Sequence, residues 1–180
     1  MANGTLDLAR GNHHLKGRMQ DGALHGLVCI QEAGRTLAKL GYANGVLHGS
    51  SILYHPGGQV SAQLPYVDGR MQGVALYFAA EGWLQRKVNY RQGLMHGEAG
   101  SYYPDGSLAE LEQYIDGVRE GFYQRFHANG QVAQRSHYLN GSLVDAGQRF
   151  AEDGRPLNTN GKPISRLRWW WWRWQESGEV

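Results

Sequence analysis

YRQGLMHG at Tyr90–Gly97, followed by YYPDG at Tyr102–Gly106, is the phrase that decides the fold. Moved in steps of about 24 residues, it returns along most of the chain. One set of glycines reads Gly22, Gly45, Gly69, Gly93, Gly117 and Gly141, with gaps of 23 and then 24. A second set reads Gly11, Gly34, Gly58, Gly82, Gly106, Gly130 and Gly154, again with one gap of 23 and then 24 throughout. The unit between Gly22 and Gly34 is therefore one residue short. A fixed period of this size is the mark of a repeat architecture, in which each unit buries its apolar surface only against its neighbours.

Within a unit the apolar residues fall at even spacing. Ile30, Tyr54, Phe78, Tyr102, Phe126 and Phe150 stand four residues before each mid-unit glycine. Met19, Tyr42, Tyr66, Tyr90, Tyr114 and Tyr138 stand eight after it, and Val60, Leu84, Leu108 and Val132 two after it. Even offsets share one face of a strand, whereas a helix would spread them round its circumference. Pro56-Gly57-Gly58, Asp105-Gly106 and Asn129-Gly130, and between them Asn44-Gly45, Asp68-Gly69 and Asp116-Gly117, supply the positive φ that tight turns require. The expected fold is all-β: an elongated, twisted antiparallel meander of about twelve strands in a single layer, with the aromatic columns as its core. The repeat region is expected over residues 1–154 as about six units, the first partial, with residues 1–10 as an irregular or edge strand. Residues 155–180 are read as a loop and an Arg/Trp-rich tail or cap.

Composition narrows the function. Eighteen Lys and Arg against 16 Asp and Glu leave a net charge of +2, too weak to suggest nucleic acid. Cys29, the only cysteine, forms no internal disulfide, which leaves the compartment open between bacterial cytoplasm and periplasm. No apolar run approaches a membrane span, and no signal-peptide core is visible. His25, His48 and His96 share one repeat position, but ligands on adjacent units, two strands apart, would not converge on one metal. A local hydrogen-bonding role is the expectation, and no metal or cofactor is expected. GxSxG, Walker and HExxH motifs are absent. Asp105, Asp116, Glu110 and Glu112 are read as carboxylates on turns and an outward face. An enzyme is not expected.

The pattern Tyr-x-(Asn/Asp/Gln)-Gly-x-x-His-Gly, followed by Tyr/Phe-x-x-x-Gly, resembles the MORN-repeat family. It is most similar to the variant of YwqK-like bacterial antitoxins. The carrying residues are Tyr42/Asn44/Gly45/His48/Gly49, Tyr66/Asp68/Gly69/Gly73, Tyr90/Gln92/Gly93/His96/Gly97 and Tyr114/Asp116/Gly117/Gly121, with Tyr54, Phe78, Tyr102 and Phe126. Gln72 and Glu120 depart from the His of the pattern. The resemblance implies a repeated β-hairpin sheet that binds other proteins or, in some members, membrane lipids. It further implies an antitoxin or immunity protein, including ones encoded beside type VI secretion effectors, and carries no catalytic residue.

The tail, ISRLRWWWWRW at Ile164–Trp174, lies outside that pattern. As a strand it would alternate Arg166, Arg168, Trp170, Trp172 and Trp174 on one side with Leu167, Trp169, Trp171 and Arg173 on the other. It reads as a cap on the last hairpin, a partner anchor, or a membrane-interface anchor. The expected partner-binding residues are Trp83, Tyr103, Arg125 and Arg149 on the repeats, off the aromatic columns, with Arg166, Arg168, Trp169, Trp170, Trp171, Trp172, Arg173 and Trp174 in the tail. The expected partner is a protein toxin. The alternative is a membrane surface reached through the Trp/Arg tail.

Overall fold

A computed structural model describes residues 3–176. It is 64% strand, in one open antiparallel sheet of 16 strands whose path follows chain order. The first ribbons are β1 (Gly4–Arg10), β2 (His13–Gln20), β3 (Ala23–Glu32) and β4 (Arg35–Ala43). Three later ribbons are each broken by one residue. His48 separates β5 (Val46–Leu47) from β6 (Gly49–Tyr54), Gln72 separates β8 (Arg70–Met71) from β9 (Gly73–Phe78), and Glu120 separates β13 (Val118–Arg119) from β14 (Gly121–Phe126). Between and after them run β7 (Val60–Val67), β10 (Leu84–Arg91), β11 (Leu94–Tyr102), β12 (Leu108–Ile115), β15 (Val132–Leu139) and β16 (Ser142–Asp145). β5, β8 and β13 pair off the main path, which leaves thirteen ribbons.

Two turn types alternate at the two edges. At one edge Asp21, Asn44, Asp68, Gln92, Asp116 and Asn140 lie at φ of 47–52° and the following glycine is also at positive φ, as a two-residue hairpin turn of matching twist requires. At the other edge a five-residue turn recurs: His55 N–H donates to Gln59 O and Gly58 N–H to His55 O, and the same pair of bonds returns at Ala79–Trp83, Tyr103–Ser107, His127–Gln131 and Ala151–Arg155. The short unit is explained there. Ala33 and Gly34 form a two-residue turn, with Glu32 opposite Arg35. Ile30 pairs with Ala38 as Leu53 pairs with Ala62, one unit on. It therefore occupies the place of Leu53, not that of Tyr54 as the glycine spacing suggested.

Burial corrects the expected core. The aromatic columns share one face, but most of their rings are half-exposed. The deepest residues are small ones lying between the columns: Ala75 at 0% exposure, Val88 at 2%, with Val28, Ser51, Ala62 and Ala99 also buried. A single-layer sheet has no second layer to cover a ring, so the rings lie over their small neighbours and shield them. Tyr77, Tyr90 and Met95 pack in this way against Val88, Ala99 and Tyr114. Burying one Val side chain contributes roughly 1.5–3 kcal/mol.

Past β16 the sheet narrows. Gly147 crosses so close to the Arg135 carbonyl that a Cβ would lie 1.6 Å from that oxygen, so no side chain fits. Bridges at Gln134–Arg149, Phe150–Pro156 and Leu157–Pro163 continue the pairing, and the five-residue turn recurs at Asn158–Lys162. The tail, which its sequence leaves open between strand and helix, is a helix, α1 (Arg166–Glu176). Ser165 caps it, its Oγ accepting the Arg168 N–H at 3.4 Å. Leu, Trp and Arg carry no β-branch to oppose a helix, and four consecutive Trp offer a strand no polar side.

Candidate functional site

Across the aromatic face, equivalent positions in successive units read Leu40, Leu64, Val88, Glu112 and Ser136. The change to Glu112 installs a carboxylate, at 5% exposure, in a column that is apolar from Leu40 to Val88. Arg86 Nη2 donates to Glu112 Oε2 at 2.8 Å, and Arg119 Nη2 donates to Glu112 Oε1. A buried carboxylate is tolerated only with such partners. Arg119 in turn lies over the Tyr138 ring, 4.7 Å from its centroid, and 5.9 Å from those of Tyr114 and Tyr123. Burial works against the Arg119 charge, but Tyr114, Glu112 and Tyr138 outweigh it and hold the guanidinium more firmly protonated than usual. Tyr123 Oη donates to Glu110 Oε1 at 3.0 Å. Burial first, and then that carboxylate, push the Tyr123 hydroxyl up to about 12. Glu110 and Glu112 are therefore not on an outward face. Their even spacing from Tyr114 places them beside it.

Next to this cluster, a cleft of about 360 Å3 opens between β14, β15 and the 149–157 segment, lined among others by Tyr103, Arg125, Phe126, Gln134, Arg149 and Phe150. Tyr103 Oη donates to Phe126 O at 2.7 Å, and His127 Nε2 is 2.9 Å from Phe150 O. His55 Nε2 stands in the same relation to Phe78 O, 2.9 Å away. Where the residue that opens a five-residue turn is His or Tyr, at His55, Tyr103 and His127, its side chain thus reaches the backbone of the next repeat.

The other edge carries a second ladder. Gly45, Gly69, Gly93, Gly117 and Gly141 donate their N–H groups to carbonyls of the preceding turn strand, at 2.8–2.9 Å. Before the last four of these glycines the preceding N–H meets a side-chain acceptor 20 residues back. Asp68 finds His48 Nδ1 at 3.5 Å, Gln92 finds Gln72 Oε1 at 2.9 Å, Asp116 finds His96 Nδ1 at 3.4 Å, and Asn140 finds Glu120 Oε2 at 2.6 Å. Gln72 and Glu120, which looked like departures, supply the same acceptor as His. His25, His48 and His96 are spread along this edge, and among the described residues no group of three or more His, Cys, Asp or Glu could hold a metal ion.

The MORN repeat variant model matches residues 47–68, 71–92, 95–116 and 119–140. The chain carries four MORN repeats of the variant type. Each matched unit is closed by the bond just described, from its last residue's N–H to its second residue's side chain. No curated protein matches the sequence. MORN repeats of this kind make a binding scaffold.

The residues expected to bind are dispersed on the MORN sheet. Tyr103, Arg125 and Arg149 meet in the one cleft. Tyr103 is tied down by its hydroxyl, and Arg125, opposite Glu110 in register, shares the face of the charged cluster instead of avoiding it. Trp83 stands apart, half-buried on an earlier turn, where its carbonyl accepts the Ala79 N–H. In α1, Trp169 is half-buried beside Gly154, while Arg166, Arg168, Trp170 and Trp171 are exposed, the two Trp at 62%. The side chains of Trp172, Arg173 and Trp174 lie outside the described residues. Arg86, Glu112, Arg119 and Tyr123 were missed. Glu112 interrupting the column Leu40, Leu64, Val88 was the signal that pointed to them.

Proposed function

We propose that this MORN-variant protein is an antitoxin or immunity protein that neutralises a bacterial protein toxin by covering it with the aromatic face of its sheet. One observation carries the reading. Sheets ordinarily press one face on a second layer, yet here the tyrosine columns stay half-exposed with no second layer among the described residues. Tyr and Arg are the residues on which interface energy concentrates, and this face gathers both. The likeness of the Tyr-x-x-Gly phrases to the YwqK-like variant supports a toxin as the occupant. Stable neutralisation calls for nanomolar affinity, about −12 kcal/mol. The test is co-expression with the product of the neighbouring gene, with growth and co-purification as readouts. Restored growth and a 1:1 complex are expected. Growth arrest that this chain does not relieve, with no complex, overturns the proposal.

A second reading has its own observation. Leu167, Trp170 and Trp171 lie at helical spacing on one exposed side of α1, flanked by Arg166 and Arg168. That arrangement suits a membrane interface. Sedimentation with anionic vesicles, with and without residues 167–180, tests it: tail-dependent co-sedimentation is expected on this reading and none on the first.

A further inference from the structure

We propose that the cleft between β14, β15 and the 149–157 segment recognises an acidic side chain carried on an extended, partly apolar segment of a protein partner. Among the described residues four arginines are held closely by carboxylates, whereas Arg10, Arg18, Arg35, Arg70 and Arg135, like the two at the cleft, are not. Arg86, Arg91 and Arg155 each hold a carboxylate oxygen at 2.7–2.9 Å, and Arg119 holds Glu112. At the cleft two arginines of the second kind line one pocket. Arg125 reaches only Glu110, at 3.9 Å, with its side chain 59% exposed, and Arg149 has no carboxylate within ion-pair distance among the described residues.

The neutral polar groups around the two arginines are already engaged. Tyr103 Oη and His127 Nε2 bond to repeat carbonyls, and Gln134 Nε2 donates to Ser136 Oγ at 3.1 Å. The uncommitted donors at the cleft are therefore guanidinium groups, whose planar fork matches a carboxylate. Between them Phe126, Phe150 and Leu157 contribute apolar lining. A volume of about 360 Å3 admits one or two side chains, not a folded element. Apolar lining beside two planar guanidinium forks favours an acidic residue flanked by Leu or Phe.

This inference rests on the reading of the protein as a toxin-binding scaffold, so the experiment keeps the two apart. The full chain is titrated against a fluorescein-labelled Leu-Glu-Phe-Glu-Leu peptide and its Gln twin, and separately against phosphatidylglycerol vesicles. The Glu peptide is expected to bind at least about tenfold tighter than the Gln peptide, the scale of a charge-assisted pair. Arg149→Gln and Arg125→Gln should each remove most of that difference while keeping the wild-type urea midpoint, since both side chains are exposed. Equal binding of the two peptides, indifference to both substitutions, or binding of vesicles alone overturns the cleft assignment. The same variants go into the growth assay. Protection without peptide discrimination overturns the cleft and spares the immunity reading, whereas discrimination without protection does the reverse.

Discussion

Two stretches of one sheet, built on the same backbone, carry opposite chemistry. From β4 to β10 the central row of the aromatic face reads Leu40, Ser51, Leu64, Ala75 and Val88, packed without a charge. From β11 to β15 it reads Ala99, Glu112, Tyr123 and Ser136, and the buried carboxylate is held by two arginines. The turn-edge bonds are the same in both stretches, so register does not depend on which side chains fill the face. A repeat sheet whose edges fix its geometry is free to rewrite its middle, and the rewritten stretch is the one beside the cleft.

The contrast breaks most visibly if charge is moved into the apolar stretch. Val88→Asp has no arginine pair of its own and should cost about 3–5 kcal/mol in urea unfolding, the scale of an uncompensated buried charge. A loss below about 1 kcal/mol would mean that the apolar row is not the core. The reverse exchange sharpens the point. Glu112→Gln leaves Arg86 and Arg119 without their anion and should cost about 1–3 kcal/mol, discounted because both arginines are part-exposed. Glu112→Val made together with Arg86→Met and Arg119→Met removes both ends of the pairs and should cost less than the Gln variant, which leaves two cations behind. The opposite order would show the ion pairs to be a net source of stability.

The shared edge should respond alike in both stretches. His96→Gln keeps an acceptor for the Asp116 N–H, as Gln72 does for Gln92, and should leave stability unchanged. His96→Leu should lose about 0.5–1.5 kcal/mol, one hydrogen bond. Indifference to Leu would remove the ladder from the account of register.

The smallest effect is confined to high pH. Tyr77 and Tyr123 bind their protons more tightly folded than unfolded, through burial and then through Tyr90 and Glu110 respectively. A raised folded pKa adds stability that is complete below the ordinary value near 10 and lost as pH climbs through the folded value, about 12 for Tyr123. Absorbance titration at 295 nm should show two of the ten tyrosines lagging. Tyr123→Phe should remove one of them and, at pH 7, where the bond to Glu110 is fully made, should lose about 0.5–1 kcal/mol, one hydrogen bond.

Much of the fold was legible in the chain. The two glycine ladders place the repeat turns as far as Gly154, and the Asn/Asp-Gly pairs name the turn type. The shortened unit points to the position of Ala33-Gly34. Of the candidate site, Tyr103, Arg125 and Arg149 were chosen as large exposed groups off the aromatic columns, and they converge. The tail was not legible, because a run of Trp satisfies neither a period of 2 nor one of 3.6. Glu112 was misread because a carboxylate looks like surface until its partners, 26 residues back and 7 ahead, are seen to reach it.

What the sequence determined by itself is whatever is local or periodic. Positive-φ turns, alternating strands and a 24-residue step leave a meander as the natural result, because each hairpin repeats the conditions of the last. What tertiary structure alone decided is depth and pairing. In one layer the small residues between the rings become the buried ones. Residues 20 to 26 apart meet because neighbouring repeats lie side by side: His48 with Asp68, Gln72 with Gln92, and Arg86 with Glu112. The same stacking leaves Arg149 beside Arg125 without an anion of its own among the described residues, since charge balance is met through contacts in space and the order of residues along the chain does not display it.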